Sequence, residues 1–214
     1  MAGMFEPVPG GGAAVPLDEV EVSILRSLAV QLLELIGPGP AGEDGADPLA
    51  ELFAEGPSEP PTDPVLQRLF PDAYGDPESV PDDQLKAYSA EFRRFTENDL
   101  RAGKRENALA VIRSLDELTL ESGSGSGSGG ESESESKGEG KGGAVLKLTA
   151  EDSKQWLGAL NDLRLAIASR LDVISDEDTE LLYRLPDTDE RKPMVMAYLW
   201  LGGLQETLVE TLLP

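Results

Sequence analysis

The sequence predicts a mainly α, α+β fold: a helical bundle of about four long helices plus short ones, with a small antiparallel or mixed sheet of about three strands. Three observations predict it. Val145-Leu146-Lys147-Leu148 alternates as a strand, Thr149 offers a helix N-cap with Asp152 three residues on, and Trp156, Leu160, Leu163, Ile167 and Leu171 recur along one helical face. The same arrangement stands 131 residues earlier: Val15-Pro16-Leu17, then Asp18 and Glu21, then Leu25, Ala29, Leu32 and Ile36. Two further helical periodicities occupy 81–120 and 193–212. The paired strand–helix units suggest a pseudo-duplicated core, arising either by duplication or as two similar answers to one packing problem. The core anchors are Leu25, Leu32, Trp156, Leu160, Leu163 and Leu204.

Taken in order, Met4–Val8 and Ala13–Leu17 flank Pro9-Gly10-Gly11-Gly12 and read as a β-hairpin whose glycines supply positive φ. Prolines in both arms confine them to edges or short pairings. Pairing with 145–148 completes the sheet. The helix from Asp18 to Ile36 is apolar over most of its girth, with one wet stripe at Ser23, Ser27, Gln31 and Glu34, as for a helix packed on more than one side. Gly37-Pro38 ends it.

A single domain is expected over 1–214, with an acidic, Pro-rich connection at 37–80. Residues 37–83 hold 10 of the 16 prolines and 12 acids against one base, Arg68. Asp47-Pro48 and Asp63-Pro64 each place an N-cap before a proline at the first helical position, so two short helices are expected there. The next helix carries an apolar ridge of Leu85, Tyr88, Phe92, Phe95 and Leu100. Gly103 marks a break or a packing contact before Leu109, Ile112 and Leu115. Glu121–Gly143 contains only Gly, Ser, Glu and Lys, cannot form a core, and reads as a disordered linker spanning roughly 25–30 Å. Beyond the central helix, Ser175-Asp176-Glu177-Asp178 starts a short helix ending near Arg184. The last helix follows from Pro193 to Leu212, where Gly202-Gly203 implies close backbone approach.

Composition narrows function. With 41 acidic and 18 basic residues the net charge is −23, which disfavours phosphate backbones and anionic lipid. Without cysteine or histidine, disulfides, thiolate chemistry, thiol redox sensing and the commonest general base are excluded. The N-terminus lacks the pattern of a signal peptide, and no apolar run reaches a membrane span, so a cytoplasmic, soluble protein is expected. No phosphate loop, dinucleotide fingerprint or nucleophile elbow is present, and no catalytic, cofactor-binding or metal-binding residue is identified. The acids Asp172, Asp176, Asp178 and Glu180 lack the calcium-loop pattern and its glycine, and fit a dipole-complementing helix start.

Two groups stand out. Asn161, Asp162 and Arg164 are polar in the middle of the apolar central helix. Arg164 either anchors a partner's carboxylate or phosphate, or pairs within the fold with Asp162 or a carboxylate of another helix. Lys86–Arg113 holds seven bases and four acids, and Arg94, Arg101 and Arg105 form a candidate basic face, although Glu97 stands four residues before Arg101.

The same stretches carry a resemblance. Leu25-Arg26 with Gln31–Leu35, Trp156 with Leu160–Leu165 and Arg170-Leu171, and Tyr198–Leu201 with Leu204-Gln205-Glu206 resemble an actinobacterial family of domains of unknown function, number 2017, the AosR-like oxidative-stress regulators. The similarity covers 4–36, 81–120 and 144–213. It implies control of transcription in the stress response, with possible sigma-factor contact, while the absent cysteines are at odds with any thiol switch. The expected function is therefore a non-enzymatic regulatory protein acting by protein–protein contact, with a sigma factor or other basic protein as partner and direct DNA binding disfavoured. The alternative is an adaptor or scaffold for Clp-type proteolysis or metabolic enzymes, and an enzyme of unknown class comes third.

Overall fold

A computed structural model describes residues 3–38, 55–75, 82–124 and 144–213. Three strands, β1 (Glu6–Pro7), β2 (Gly12–Leu17) and β3 (Ala144–Thr149), form an antiparallel sheet in that order. The helices are α1 (Glu19–Ile36), α2 (Pro64–Leu69), α3 (Asp83–Ser124), α4 (Ala150–Arg170), α5 (Asp176–Tyr183) and α6 (Lys192–Leu212). The α+β class and the three-stranded sheet are as expected. β2 is the central strand, yet β1 pairs only with Ala13 and Ala14, so Pro16 leaves no β1 carbonyl without a donor. The expected helix at Asp47-Pro48 lies outside the described residues, as does 125–143 of the linker. α3 itself continues four residues into the linker composition.

Local chemistry fixes both strand–helix units. At α1, the Asp18 carboxylate accepts the Glu21 backbone N–H at 2.8 Å and Glu21 accepts the Asp18 N–H at 2.9 Å. Thr149 and Asp152 make the same reciprocal box at α4, each bond 3.1 Å long. The offset of 131 residues is also spatial, because Val15 lies directly opposite its equivalent Leu146 in the β2–β3 ladder. A local two-fold therefore passes between them. The apolar sets Leu25, Ala29, Leu32, Ile36 and Trp156, Leu160, Leu163, Ile167 are all buried. Gly12 lies opposite Thr149 at the end of the ladder: its φ is 131°, and a Cβ there would lie 2.3 Å from the Leu148 carbonyl oxygen.

α4 is the hub, touching α1, α2, α3, α6, β2 and β3. Trp156 is fully buried, with the Phe5 ring edge-on at 6.1 Å and its indole N–H donating to Ser114 Oγ at 3.3 Å. α4 ends in a Schellman turn. Asp172 takes the left-handed position (φ 55°), and the N–H of buried Val173 reaches the Ala168 carbonyl at 2.9 Å. α1 packs against both α3 and α4, with Val22, Leu28, Leu33 and Leu35 half-buried beside its buried stripe, while Val20 and Ile24 are exposed beside the polar stripe.

The largest departure is α3. It is one unbroken helix of 42 residues; Gly103 does not break it, and a Cβ there would meet no neighbour among the described residues. Its second half buries Ala108, Val111, Leu115 and Leu118, whereas Leu85, Tyr88, Phe92, Phe95 and Leu100 are exposed. The reason is geometric. From Leu85 to Ala108 is 23 residues, which at ~100° each turns the helix a net ~140° and carries the first stripe away from the core that receives the second.

Candidate partner-binding site

The polar residues of α4 project to two sides. Asp162 points toward α3, where its Oδ1 lies 2.5 Å from Lys104 Nζ with the carboxylate 3% exposed. Burial pushes the Asp162 carboxyl above the ordinary aspartate value. The Lys104 hydrogen bond and charge, with the Asn161 side chain, pull it back down. Asp162 thus pairs with a lysine 58 positions away, and among the described residues Arg164 faces no carboxylate.

Arg164 points toward α6. Its Nη1 donates to Gln205 Oε1 at 2.6 Å, its guanidinium carbon lies 5.2 Å from the Tyr198 ring centre, and its Nε has no hydrogen-bond partner among the described residues. It lies along Gly202, whose absent Cβ would be 3.5 Å from Nε. Gly202 thus faces this side chain at an ordinary contact distance, not the backbone of another helix, and among the described residues nothing lies within 4 Å of a Cβ at Gly203. Asn161, Arg164 and Tyr198 border an open cavity of about 190 Å³ that Arg68, Ser175 and Thr179 also line. Two guanidinium groups at one mouth are suited to a carboxylate or phosphate. Arg68 is the residue that sequence reasoning missed: as the lone base of an acidic stretch, it carried a signal.

Arg94, Arg101 and Arg105 are turned to internal tasks. Arg94 is bound to Glu55 at 2.6 Å, and its guanidinium carbon also lies 5.4 Å from the Phe95 ring centre. Arg101 bonds Glu97 at 2.7 Å and donates to the Ile36 carbonyl at 2.8 Å, while its guanidinium stacks 4.3 Å from the Phe70 ring centre. Arg105 donates to the Gly37 and Leu33 carbonyls. Arg101 and Arg105 together close the α1 C-terminus, which has no basic residue in its own last turn.

Behind them lies a buried ionic layer. Glu97, 3% exposed, also binds Arg93, which reaches Asp72 at 2.8 Å and the Phe70 carbonyl at 3.1 Å. Ser89 extends it by exchanging hydrogen bonds with the Tyr74 backbone at 3.1 Å. Ser89, Arg93, Glu97 and Arg101, four apart, are the inward face of this half of α3. Among the described residues no group of three or more acids could hold a metal, and no helix is long and apolar enough to cross a membrane.

Known proteins share this chain's pattern. Two relatives, from Mycobacterium bovis and Mycobacterium tuberculosis, both named oxidative stress regulator AosR, are 28% identical over 204 residues, which is 90% of this chain and 78% of theirs. No solved structure matches. A family model described as a domain of unknown function (DUF2017) matches residues 2–212. Since that match spans nearly the whole chain, the protein belongs to the DUF2017 family.

Proposed function

We propose that the protein is a non-enzymatic, cytoplasmic regulator of the oxidative stress response that acts by protein–protein contact, with a sigma factor or another basic protein as its partner. The names of the mycobacterial relatives support the regulatory role. One structural observation carries the mode of action: all seven bases of Lys86–Arg113 are engaged inside the chain. Lys86, Arg93, Arg94, Arg101, Lys104 and Arg113 each face a carboxylate, and Arg105 caps a helix end. With a net charge of −23 and each of these cations already partnered, Lys86 and Arg113 in exposed pairs, the basic segment offers duplex DNA little uncompensated charge from which counterions would be released.

The exposed acids around α5 and along 55–75 steer a basic protein instead. Because the chain has no cysteine, an oxidative signal does not reach it through a thiol of its own. The test is a fluorescence-anisotropy titration against promoter and random duplexes at about 150 mM salt, with and without candidate sigma factors. The expected result is no binding by the protein alone and a response only when the partner is present. Micromolar DNA binding by the protein alone overturns the proposal.

A further inference from the structure

The first half of α3 is inside out. Its inward side is Ser89, Arg93, Glu97 and Arg101, and its outward side is Leu85, Tyr88, Phe92 and Phe95, which are 37%, 53%, 47% and 63% exposed. Tyr74, 48% exposed, adds a fifth large side chain with its ring edge-on to Tyr88 and Phe92 at 6.3 and 6.0 Å. Exposed apolar residues are ordinary when scattered, but a contiguous stripe on one helix marks an interface. The spacing 85, 88, 92, 95 alternates three and four, the seam of a two-helix coiled coil.

We infer that the ridge Leu85–Tyr88–Phe92–Phe95 is the interface of an antiparallel, two-fold dimer of this chain. Three features select a second copy as the occupant. The seam is self-complementary: with α3 antiparallel to its symmetry mate, Leu85 faces Phe95 and Tyr88 faces Phe92 in every layer, as an isologous contact requires. The ridge itself is uncharged, being built of Leu85, Tyr88, Phe92 and Phe95, so two copies of a chain of net charge −23 bring no ionic side chain into the seam.

The third feature is area. Four aromatic rings, each worth about 150–250 Å² when covered and here roughly half exposed, give ~400 Å². With Leu85 and the polar rim, two copies bury roughly 1,000 Å², the lower bound of a specific interface. The dimer is therefore weak and reversible, with a dissociation constant of about micromolar or higher. It also has a characteristic salt response. The screening length is about 8 Å at physiological ionic strength and about 30 Å at 0.01 M, so lowering salt exposes each copy to the other's full charge and weakens association.

Sedimentation equilibrium of the wild-type chain from ~1 to ~200 µM tests this. The expected result is a mass rising from one chain toward two, with tighter association at higher salt. Leu85→Glu and Phe95→Lys each reduce association at least ~10-fold, since each buries a lone charge in the seam. Far-UV circular dichroism and melting temperature stay near wild type, both side chains being exposed. An equimolar mixture of the two variants regains the dimer. The antiparallel register sets the carboxylate introduced at position 85 of one copy against the ammonium introduced at position 95 of the other, and leaves the remaining layers native.

A wild-type chain that stays monomeric at ~200 µM overturns the inference, and needs no variant to fold. So does association that strengthens as salt is lowered, which marks contact between opposite charges, or a mixture that fails to regain the dimer. A monomeric variant with a strongly lowered melting temperature assigns the ridge to packing within the chain and likewise overturns it.

Discussion

Replacing Lys104 by methionine removes the charged partner of Asp162 and keeps most of the apolar stem. The carboxylate is 3% exposed and Lys104 is 14% exposed, so water does not readily take the ammonium's place. Breaking a buried pair by deleting one member costs about 3–5 kcal/mol, because the other charge is left uncompensated. The loss should depend on pH in a defined sense. In the folded wild type, burial already holds the Asp162 carboxyl above its ordinary value, and Lys104 pulls it down. Between the unfolded and folded values the native state binds the extra proton, so stability falls as pH rises through that window and is recovered as pH falls. Without Lys104 the window extends upward. The Lys104→Met deficit is therefore larger near pH 7.5 than near pH 5, since a lower pH favours the neutral carboxyl. Urea denaturation followed by circular dichroism at both pH values, variant against wild type, measures it. A deficit below about 1 kcal/mol at the higher pH, or an equal deficit at both, would refute the reasoning. Adding Asp162→Leu should restore most of the lost stability, the coupling being read from the double-mutant cycle.

Trp156→Ala should cost about 3–5 kcal/mol by the same denaturation assay, as for a fully buried aromatic, and unfolding at the wild-type urea concentration would remove α4 from its central place. Two glycines should respond in opposite directions. Gly12→Ala should destabilise by at least ~1–3 kcal/mol, since its φ of 131° and the Leu148 carbonyl both reject a Cβ. Gly103→Ala, mid-helix with nothing within 4 Å, should stabilise by about 0.5–1 kcal/mol. A loss of stability at Gly103 would mean that α3 bends there in solution.

What the sequence disclosed was local. The capping boxes at Asp18 and Thr149, the Ser175 cap and the Asp63-Pro64 helix start each involve residues two or three apart, and the structure repeats them bond for bond. The buried stripes of α1 and α4 followed from periodicity, because each has one apolar face of sufficient length. α3 resisted the same reading. It carries two apolar stripes on nearly opposite sides, and a pattern that assumes both face one core demands a break at Gly103. The phase difference was computable, but which stripe the core would take was decided by distant partners. Ion pairs such as Lys104–Asp162 and contacts such as Arg164–Gln205 join residues 58 and 41 positions apart, where spacing offers no guide.

The orientation of α3 follows from the end of α1. That helix stops at Gly37 with its last carbonyls unsatisfied and no base in its final turn, so another element must supply donors. Arg101 and Arg105 do so, which fixes a cationic face of α3 inward at that level. The Arg101 guanidinium beside an apolar core needs a counter-charge, and Glu97 provides it from one turn earlier. Glu97 is then shared with Arg93, and Arg93 requires Asp72 and the Phe70 carbonyl in turn. Each step is forced by the cost of leaving a buried charge unpaired. With these polar residues occupying the inner side over three turns, Leu85, Tyr88, Phe92 and Phe95 are left on the outside, so the ridge is a consequence of how α1 is capped.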